Sequence, residues 1–431
     1  MKVVIVHYHL NPGGVTRIIE SQVKGLQIVA AGTELTLLCG NPVPDGIFQE
    51  TRIQVDNSLN YWDPAMQEVD FMREAENLTA MIRNNLTDKG ILHCHNPNLG
   101  KNPALTLAVF NLAAEGCSVV NHCHDFPEER PANMDLLDKL ISGAVNLPLV
   151  EILYPNFARY HYITLNSTDY KRIAAKGIPH SRIHLLPNPV SLSGKVKPAD
   201  KPAMNKKIRD ILGLRSSLKL CTYPVRGIER KNLGEFILLA ALLADVAYFT
   251  ITQAPKNPSE LPRYNRWKNF CRERGIAVKF ESGEEVNHEE LISISDFCIT
   301  TSIREGFGMV YLEPWLAGIP VVGRDLASVT VDLKQYGLEF PRLYERILIE
   351  TDNGMEDFKD LDSDKQESVI TDVLLHKSSG LKLFRDNPFL GDLLYDFPAE
   401  TVLKNQKIVI DEFSLEKYGK ELLTIYSEIS Q

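Results

Sequence analysis

The sequence predicts an α/β protein made of two doubly wound domains, each a parallel sheet with helices on both faces. Short β-branched or apolar runs alternate with longer amphipathic segments, and this alternation stops once and then restarts. The 431 residues suffice for two hydrophobic cores. Ligands of such sheets bind at the carboxyl ends of the strands, so we expect the functional site in the cleft between two domains that face each other.

The N-terminal domain, residues 1–192, begins with a buried strand, "KVVIVHY", a helix, "GVTRIIESQVKGLQ", and a second strand, "ELTLLC". Four further strands are predicted at "GILHCH", "SVVNHCH", "YHYITLN" and "RIHLLPN". The intervening helices are "MQEVDFMREAENLTAMIRNNL" and "NPALTLAVFNLAAEG". This order favours parallel strands joined by helical crossovers.

Residues 193–215 are rich in lysine and proline with little periodicity, which predicts a linker. The alternation restarts in a C-terminal domain, residues 216–412, with strands at "LKLCTYPV", "VAYFTIT", "IAVKFES", "FCITTS" and "GIPVVG". The chain closes with a periodic amphipathic helix, residues 413–431, for which Ser414 is the predicted N-cap. We expect this helix to pack back on the N-terminal domain.

Composition excludes several classes of protein. A net charge of -9 argues against a nucleic-acid binder, and no apolar run approaches the roughly 18 residues of a membrane helix. The opening "MKVVIVHYHL" lacks the features of a signal peptide, and the seven cysteines are scattered without C-x-x-C pairs. We therefore expect a cytoplasmic protein with reduced thiols and no membrane association; the sequence does not predict its oligomeric state.

Two glycines, Gly13 and Gly14, follow the first strand and precede a helix in "HLNPGGVTR". They allow the backbone to approach a ligand, and the free amides of a helix N-terminus favour phosphates and oxyanions. The spacing is not G-x-G-x-x-G, so a dinucleotide fingerprint is absent.

Arg226 and Lys231 flank a turn, "RGIERKN", after the first strand of the second domain. A guanidinium fork, a lysine point charge and a helix N-terminus can converge there on one anion. This combination predicts a diphosphate site.

Glu305 and Glu313 lie eight positions apart in "SIREGFGMVYLEPWLAGIPVVG". Gly306 and Gly308 disfavour an early helix, and Pro314 is tolerated only near a first turn, so we expect the helix to begin at about Val310. Glu305 then lies on a loop and Glu313 at the helix entrance. Between them, the free backbone N–H groups of the glycine loop and of the helix N-terminus form a site suited to an anionic or hydroxyl-rich ligand.

These motifs together resemble the retaining glycosyltransferase family 4, whose members have the two-domain GT-B fold. The resemblance is carried by "PGGV", "LLPNPV", "RGIERKN", "FESGEEVNHEELISISDFCITTS" and "EGFGMVYLEPWLAGIPVV" and covers nearly the whole chain. One segment, Ala327 to Glu350, departs from the family because it lacks the usual glycine-rich Pro-Glu turn.

The resemblance implies a role for each matching residue. Arg226 and Lys231 hold the donor diphosphate, which Gly14, after Gly13, approaches from the other domain. Glu313 holds the ribose, and Glu305 holds the transferred sugar with the amides of Gly306, Phe307 and Gly308. The "SGEEV" loop, from Gly283 to Val286, contacts the base through its backbone. No cofactor is implied beyond the nucleotide-diphosphate sugar as co-substrate.

Two H-C-H triplets, at residues 93–95 and 122–124, raise the question of a zinc site. Alternate residues of a strand point to opposite faces, so each cysteine should face away from its histidine neighbours, and we expect no metal. "HDFPEERP" resembles the family's histidine near the donor sugar, which gives His124 a catalytic role, with His122 as the competing register.

The acceptor is the least determined substrate. Asn98, Lys101 and Asp125 are candidate acceptor-binding residues, and the first two precede a helix N-terminus where a carboxylate or phosphate could bind. A helix-capping loop is the alternative interpretation. We expect a soluble sugar, polyol or small organic acceptor.

The predicted function is metal-independent, retaining transfer of a hexose from a donor of the UDP-glucose or GDP-mannose type. A GT-B-like phosphorylase or sugar-nucleotide epimerase is an alternative enzyme, distinguished by phosphate dependence or an epimerised donor. A sensor that binds nucleotide sugars without turnover is the non-enzymatic alternative.

Overall fold

The computed structural model describes residues 1–42, 48, 51–63, 68–191, 200–214 and 217–430. Contacts within the chain divide it into two compact units: unit 1 comprises Met1–Pro189 and Phe413–Gln431, and unit 2 comprises Val190–Glu412. The segment 193–215, which the sequence predicts as a linker, contains a helix at Lys201–Leu212. Its buried Ile208 and Leu212 are four positions apart, a helical spacing that the many lysines obscure. Residues 193–199 and 215 of this segment lie outside the described part.

Unit 1 contains a parallel sheet of seven strands: β1 Lys2–Val6, β2 Glu34–Cys39, β3 Arg52–Val55, β4 Ile91–His95, β5 Ser118–Cys123, β6 Tyr160–Thr164 and β7 Ile183–Leu185. The order across the sheet is β3-β2-β1-β4-β5-β6-β7. The edge strand β3 was not predicted, because its side chains are mostly exposed and too polar for the buried-strand pattern. The winding reverses between β1 and β4, where doubly wound sheets bind ligands at the carboxyl ends of the strands.

Six helices of unit 1 follow these strands: α1 Gly14–Val29, α2 Glu68–Asn85, α3 Pro103–Ala114, α4 Pro131–Leu137, α5 Leu149–Leu153 and α6 Ser167–Ala174. The period-2 pattern of β1 decides which helix covers which face. Val3 and Ile5 pack in the core with α1, whereas Val4 and Val6 pack in the core with α2 and α3. Both faces of the sheet are therefore buried, as the sequence predicts for parallel strands.

Unit 2 contains a second parallel sheet, of six strands: β8 Lys219–Arg226, β9 Ala247–Gln253, β10 Val278–Lys279, β11 Phe297–Thr300, β12 Val321–Arg324 and β13 Leu343–Tyr344. Their order is β10-β9-β8-β11-β12-β13, so the winding reverses between β8 and β11. An antiparallel hairpin follows, formed by β14 Leu348–Thr351 and β15 Gly354–Asp357. The two doubly wound α/β sheets confirm the predicted fold class.

The helices of unit 2 are α7 Lys201–Leu212, α8 Leu233–Leu242, α9 Leu261–Arg274, α10 Ser282–Glu285, α11 His288–Ile294, α12 Glu313–Leu316, α13 Ala327–Gln335, α14 Ser363–Leu375, α15 Lys377–Asp386, α16 Phe389–Asp392 and α17 Ala399–Glu412. The helix expected from about Val310 begins later: a 3-10 turn occupies Met309–Tyr311 and α12 starts at Glu313. Every helix in the described part of the chain is too short or too polar to cross a bilayer.

A buried charge network joins α8, β12 and the hairpin of unit 2. Arg324 donates to Glu235 (Nε–Oε1, 3.0 Å) and to Asp357 (Nη2–Oδ1, 2.8 Å), and the Tyr344 hydroxyl donates to Glu235 at 2.7 Å. Glu235 is fully buried, so its charge is tolerated only because these donors surround it. The segment from Ala327 to Glu350 thus supplies Tyr344 to this network.

The C-terminal helix, α18 Leu415–Ile429, packs on unit 1, as the sequence predicts. The Ser414 hydroxyl accepts a hydrogen bond from the Lys417 backbone N–H at 3.2 Å, which confirms the predicted N-cap. Gly419 of α18 lies against Gly25 of α1 so closely that a Cβ atom on Gly419 would overlap the Gly25 carbonyl oxygen. Two glycines 394 positions apart therefore set the distance between these helices.

Candidate functional site

Two groups of predicted donor residues in unit 2 lie at or after the ends of β8 and β11, the strands between which the winding reverses: Arg226 ends β8 and Lys231 follows it, and Glu305 to Gly308 follow β11. Several hydrogen bonds join β8 and the loop after it to the loop after β11. The Thr301 hydroxyl donates to the Lys231 carbonyl at 2.9 Å, the Ile303 N–H donates to the Arg230 carbonyl at 2.9 Å, and the Tyr223 hydroxyl bonds Ser302 Oγ at 2.6 Å. The loop containing Lys231 and the loop containing Glu305 therefore form one connected surface.

The Glu305 carboxylate lies at the centre of this surface. Arg230 donates to its Oε2 atom at 2.6 Å and Ser302 donates to its Oε1 atom at 2.6 Å, while the Lys231 ammonium forms an ion pair with Oε1. Glu305 and Lys231 side chains are only 6% and 8% exposed, so they are held in place rather than solvated. This arrangement gives a buried acceptor carboxylate beside two cations.

Burial and charge act against each other in this cluster. Burial lowers the pKa of Lys231 to about 8, although the Glu305 carboxylate opposes the shift. Burial disfavours ionisation of Glu305, but Lys231 and Arg230 outweigh it and hold the pKa of Glu305 below its usual value. Glu305 is therefore an anion at neutral pH.

Arg226 differs from Lys231 in its surroundings. It is partly exposed, and its Nε–H donates to the Gln253 side-chain oxygen at 3.1 Å, with no carboxylate partner in the described part of the chain. Arg230, which binds Glu305, was missed by sequence reasoning. Its position directly before Lys231, in the turn that follows β8, was the available signal, but the resemblance assigns only the two cations that flank this turn.

The glycines after Glu305 differ in what they require. Gly308 has φ +85°, which favours glycine, and a Cβ there would overlap Val329 of α13. A Cβ on Gly306 would meet nothing within 4 Å, so the fold leaves open space above this residue. The Phe307 side chain is buried. The loop can therefore present its backbone to a ligand while its aromatic residue anchors it.

Glu313 begins α12, and its side chain is 14% exposed. Its Oε2 atom lies 3.6 Å from the His288 Nε2 atom at the start of α11. The two predicted glutamates thus occupy different surroundings: Glu305 is buried among cations, and Glu313 contacts a histidine ring.

The predicted "SGEEV" loop is a helix, α10, rather than a loop. The Val286 N–H donates to the Ser282 carbonyl at 3.0 Å, and the Val286 side chain is buried in the core. A Cβ on Gly283 would lie 2.8 Å from the Thr252 carbonyl oxygen, so this glycine permits close packing of α10 on β9. The amide of Val286 is already used, because the segment folds into a helical turn.

In unit 1, Gly13 is the N-cap of α1 and has an extended backbone with φ -170°. A Cβ on Gly14 would meet nothing within 4 Å. The fold itself therefore requires a glycine at neither position. Open space above the first turn of α1 is what a ligand approaching its amides needs.

The two H-C-H triplets alternate across the sheet as predicted. Cys94 and Cys123 are buried on the α2 and α3 face, whereas the histidines lie on the face covered by α1 and α18. His122 is completely buried, and His124, which follows the end of β5, is partly exposed. Only His124 of this pair can face a ligand.

Three of these histidines, His93, His95 and His122, have ring nitrogens within 4.8 Å of one another, which is close enough for them to be considered as metal ligands. The His95 and His122 rings, however, are stacked with an interplanar angle of 29° and centroids 4.8 Å apart. Nitrogen lone pairs lie in the ring plane, so nearly parallel rings cannot both aim at one ion. The geometry favours hydrogen bonding over metal binding.

We expect the purified protein to contain no stoichiometric zinc and its activity to survive EDTA. Elemental analysis after extensive dialysis tests the first expectation, and transfer assays with and without chelator test the second. One tightly bound zinc per chain would contradict the argument from ring stacking.

The predicted acceptor residues occupy unequal positions in unit 1. Asn98 is buried in a 3-10 turn, and Asp125 pairs with Arg130 at 3.2 Å. Lys101 is partly exposed, and its ammonium lies 5.2 Å from the Tyr61 ring centroid, with no carboxylate beside it in the described ranges. Lys101 is therefore the candidate best placed to meet an anion.

Asn96 is a site residue that sequence reasoning missed. It has φ +56°, and its side-chain oxygen accepts hydrogen bonds from the backbone N–H groups of His124 (2.6 Å) and Asp125 (3.1 Å). It therefore holds the end of β5 against the end of β4. The signal was an asparagine before proline at a strand end, which is typical of a turn.

Comparisons with known proteins show which sequences and solved structures this chain is similar to. Residues 204–335 match the family model for glycosyl transferases group 1, so unit 2 carries a domain of that group. The chain is 27% identical over 329 residues to mannosylglucosyl-3-phosphoglycerate synthase of Petrotoga mobilis. That alignment covers 72% of this chain, and the chain spans 62% of the length of the relative.

Solved structures share the fold along the whole chain. Anabaena Alr3699/HepE in complex with UDP-glucose has a TM-score of 0.62 at 14% identity and covers 99% of both chains. Sucrose-phosphate synthase from Thermosynechococcus elongatus has a TM-score of 0.61 at 14% identity, covering 99% of this chain and 98% of its own. The fold is that of the GT-B glycosyltransferases.

Proposed function

We propose that this chain is a retaining glycosyltransferase that moves a hexose from a nucleotide-diphosphate sugar to a small anionic acceptor without a metal cofactor. The observation that carries the proposal is the Glu305 cluster, a buried carboxylate beside Lys231 and Arg230 in a group 1 domain. A carboxylate accepts hydrogen bonds from sugar hydroxyls, and the cations attract phosphate.

The donor is of the UDP-glucose or GDP-mannose type. One structural neighbour was solved with UDP-glucose, and the name of the Petrotoga relative contains a mannosyl group. In this proposal Arg226 and Lys231 bind the diphosphate, Glu313 the ribose, and Glu305 the hexose with the amides of residues 306–308. Gly13 and Gly14 approach the donor from unit 1, and Gly283 to Val286 lie near the base.

Transfer breaks the bond between the anomeric carbon and the diphosphate oxygen and forms one to the acceptor hydroxyl oxygen, whose proton is released. Negative charge develops on the leaving diphosphate, and fixed cations stabilise it without reorganising. Arg226 and Lys231 supply that charge. His124 contacts a hydroxyl of the sugar, and retention follows if the acceptor attacks from the face that the diphosphate leaves.

The acceptor carries a carboxylate or phosphate. Lys101 of unit 1 offers an ammonium group with no acidic partner in the described part of the chain, next to the Tyr61 ring. The product named for the Petrotoga relative is a phosphoglycerate glycoside, which has both kinds of anionic group. We infer that Lys101 binds the anionic end of an acceptor of this class, with Asp125 and Asn98 as further acceptor-binding residues.

A donor-by-acceptor assay tests the function. UDP-glucose, GDP-mannose and ADP-glucose are each incubated with glucosyl-3-phosphoglycerate, 3-phosphoglycerate or the uncharged glucosylglycerol. We expect one nucleotide to give product only with the charged acceptors, and Lys101→Met to raise KM for them. The exposed Lys89→Met variant of unit 1 is the control. Equal use of the uncharged acceptor would contradict the acceptor class.

The same assay separates the alternative functions. A phosphorylase requires inorganic phosphate in the reverse direction, and an epimerase converts the donor without any acceptor. A sensor binds the donor and gives no product or slow hydrolysis. Retained configuration in the isolated product, measured by the anomeric coupling in NMR, tests the retaining mechanism.

The diphosphate clamp predicts that the protein binds the correct nucleoside diphosphate far better than the bare nucleoside, because charge-assisted hydrogen bonds contribute about 1.5–3 kcal/mol each. In Arg226→Ala/Lys231→Ala that preference should collapse while nucleoside affinity changes little. Calorimetric titration of both ligands into both proteins measures it.

The matched control for the clamp is Arg263→Ala. Arg263 is a half-exposed cation of unit 2 that pairs with Glu229, so its removal should leave the preference unchanged. If the double variant still prefers the diphosphate, other groups hold the phosphates and the assignment of Arg226 and Lys231 fails.

A further inference from the structure

A chain of hydrogen-bonded side chains is buried between the sheet of unit 1 and helices α1 and α18. We call it the histidine chain; its members, in order of contact, are His124, His95, Gln22, Tyr426, His93 and His122. All except His124 are 0–1% exposed. The histidine chain therefore begins at the partly exposed His124 and runs into the core.

Each link has hydrogen-bonding distance. His124 Nε2 lies 2.8 Å from His95 Nδ1, and His95 Nε2 lies 2.7 Å from the Gln22 side-chain oxygen. The Gln22 side-chain nitrogen donates to the Tyr426 hydroxyl at 2.8 Å. The links continue from Tyr426 to His93 Nδ1 at 2.8 Å and from His93 Nε2 to His122 Nδ1 at 3.2 Å.

The four histidines are neutral at physiological pH. Burial lowers the pKa of His93 and of His124 to about 3, and it lowers the pKa values of His95 and His122 well below the usual range. A neutral imidazole has one N–H and one bare nitrogen. A ring that donates through one nitrogen must therefore accept through the other, so every link determines the next.

Gln22 determines which groups donate and which accept in the part of the histidine chain that leads to His124. Its side-chain oxygen can only accept, so His95 carries its proton on Nε2 and presents a bare Nδ1. His124 must then donate from Nε2 to that atom, which leaves His124 Nδ1 without a proton. In the described part of the chain His124 Nδ1 has no hydrogen-bond partner, and it is the end of the chain that a ligand can reach.

The donors and acceptors from Gln22 to His122 are determined in the same way. Because the Tyr426 hydroxyl accepts from Gln22, it donates its own proton to His93 Nδ1. His93 then donates from Nε2 to His122 Nδ1, and the proton of His122 lies on Nε2, a buried atom without a partner. A reversal of the chain would therefore change the protonated nitrogen of His124 and of His122 together.

We propose that Gln22, His95 and Tyr426 are positioning residues that keep the proton of His124 on Nε2, so that Nδ1 accepts a hydrogen bond from a hydroxyl of the bound sugar. The role toward the sugar depends on the proposed function, whereas the position of the proton does not. The sugar hydroxyl then becomes a hydrogen-bond donor, and its oxygen remains available to accept from other groups.

Nitrogen-15 NMR of protein with labelled histidine reads the proton position directly, because protonated and bare ring nitrogens have well-separated shifts. In the wild type we expect a protonated Nε2 and a bare Nδ1 on both His124 and His122. In Gln22→Met, which keeps the side-chain length but offers only a weakly accepting thioether, His124 should give the averaged or doubled signals of two tautomers. Tyr426→Phe should do the same to His93 and His122.

Tyr418→Phe is the matched control. Tyr418 lies on the same helix, α18, and is equally buried, but its hydroxyl has no hydrogen-bond partner among the described residues. Its removal should leave all four histidine signals in place. An equal disturbance in Tyr418→Phe would show that the tautomers respond to packing alone, and a protonated Nδ1 on wild-type His124 would overturn the proposal.

An activity measurement tests the role toward the sugar. Gln22→Met should lower kcat about ten-fold, as expected for losing roughly one hydrogen bond in the transition state, with unchanged affinity for the nucleoside diphosphate. An unchanged kcat despite mixed tautomers would overturn that role. If the tautomers behave as expected but no nucleotide sugar supports transfer, the proposed function fails and the assigned proton positions stand.

Discussion

Glu305→Gln should lower sugar transfer by roughly 10²–10³-fold while leaving nucleoside-diphosphate binding nearly intact. The amide keeps the shape of the side chain but removes the charge that Arg230 and Lys231 surround. A neutral group accepts weaker hydrogen bonds from sugar hydroxyls, and one of its two oxygens becomes a donor. Steady-state transfer rates and calorimetric titration of the nucleoside diphosphate measure the two effects separately.

Glu313→Gln is the control for the separate roles assigned to Glu305 and Glu313. Glu313 begins α12 and contacts His288 rather than Lys231. We expect its substitution to weaken nucleotide binding, because the contact with the ribose is lost. Glu305→Gln should therefore change kcat, and Glu313→Gln should change the nucleotide Kd. Equal losses of nucleotide affinity in the two variants would show that the assigned roles are wrong.

Unit 1 should lose stability steeply as the pH falls below about 6.5. His93, His95 and His122 are almost completely buried, and burial lowers the pKa of each below that of the unfolded chain. Between the two pKa values the unfolded chain binds protons that the native state does not. Each histidine therefore removes up to about 1.4 kcal/mol of unfolding free energy per pH unit, and the full stability is present above the unfolded pKa.

Hydrogen exchange of β4 and β5 peptides between pH 7 and pH 5, corrected for intrinsic rates, measures this dependence. His122→Leu should reduce the slope by up to about 1.4 kcal/mol per pH unit, because one titrating group is lost. His180→Asn, at an exposed position of the same unit, should leave it unchanged. A slope that His122→Leu does not alter would show that His122 does not contribute to the acid sensitivity.

Local patterns were enough to predict the two sheets. In β1, apolar residues at successive positions require burial on both faces, which parallel strands between helices provide. The same reasoning placed Cys94 and Cys123 on the face opposite their neighbouring histidines, and the structure confirms it. It missed β3, whose side chains are mostly exposed, and α7, whose few apolar positions are separated by lysines and arginines.

The site was predictable where one short segment supplies both the backbone and the chemistry. Glu305, Gly306 and Gly308 are such a segment, as are Arg226 and Lys231. Arg230 was missed because its partner, Glu305, is 75 positions away, and Asn96 because it acts on the backbone of another strand. We expected one helix from Val310, but the structure has a 3-10 turn followed by α12. Pro314 is tolerated only in the first turn of a helix, so α12 begins just before it, and Gly318, with positive φ, follows its end.

The sequence by itself determined the fold class, the two-domain order, the C-terminal helix with its cap and the candidate donor motifs, because these depend on residues near one another in the chain. Only the tertiary structure decided which buried polar groups are satisfied. Glu235 is one acid in an apolar helix until Arg324 and Tyr344 are placed around it as donors, and His93 is an unexplained core histidine until Tyr426, 333 positions later, bonds it. A buried charge or imidazole is stable only with its partners, and those partners come from strands and helices that the chain brings together when it folds.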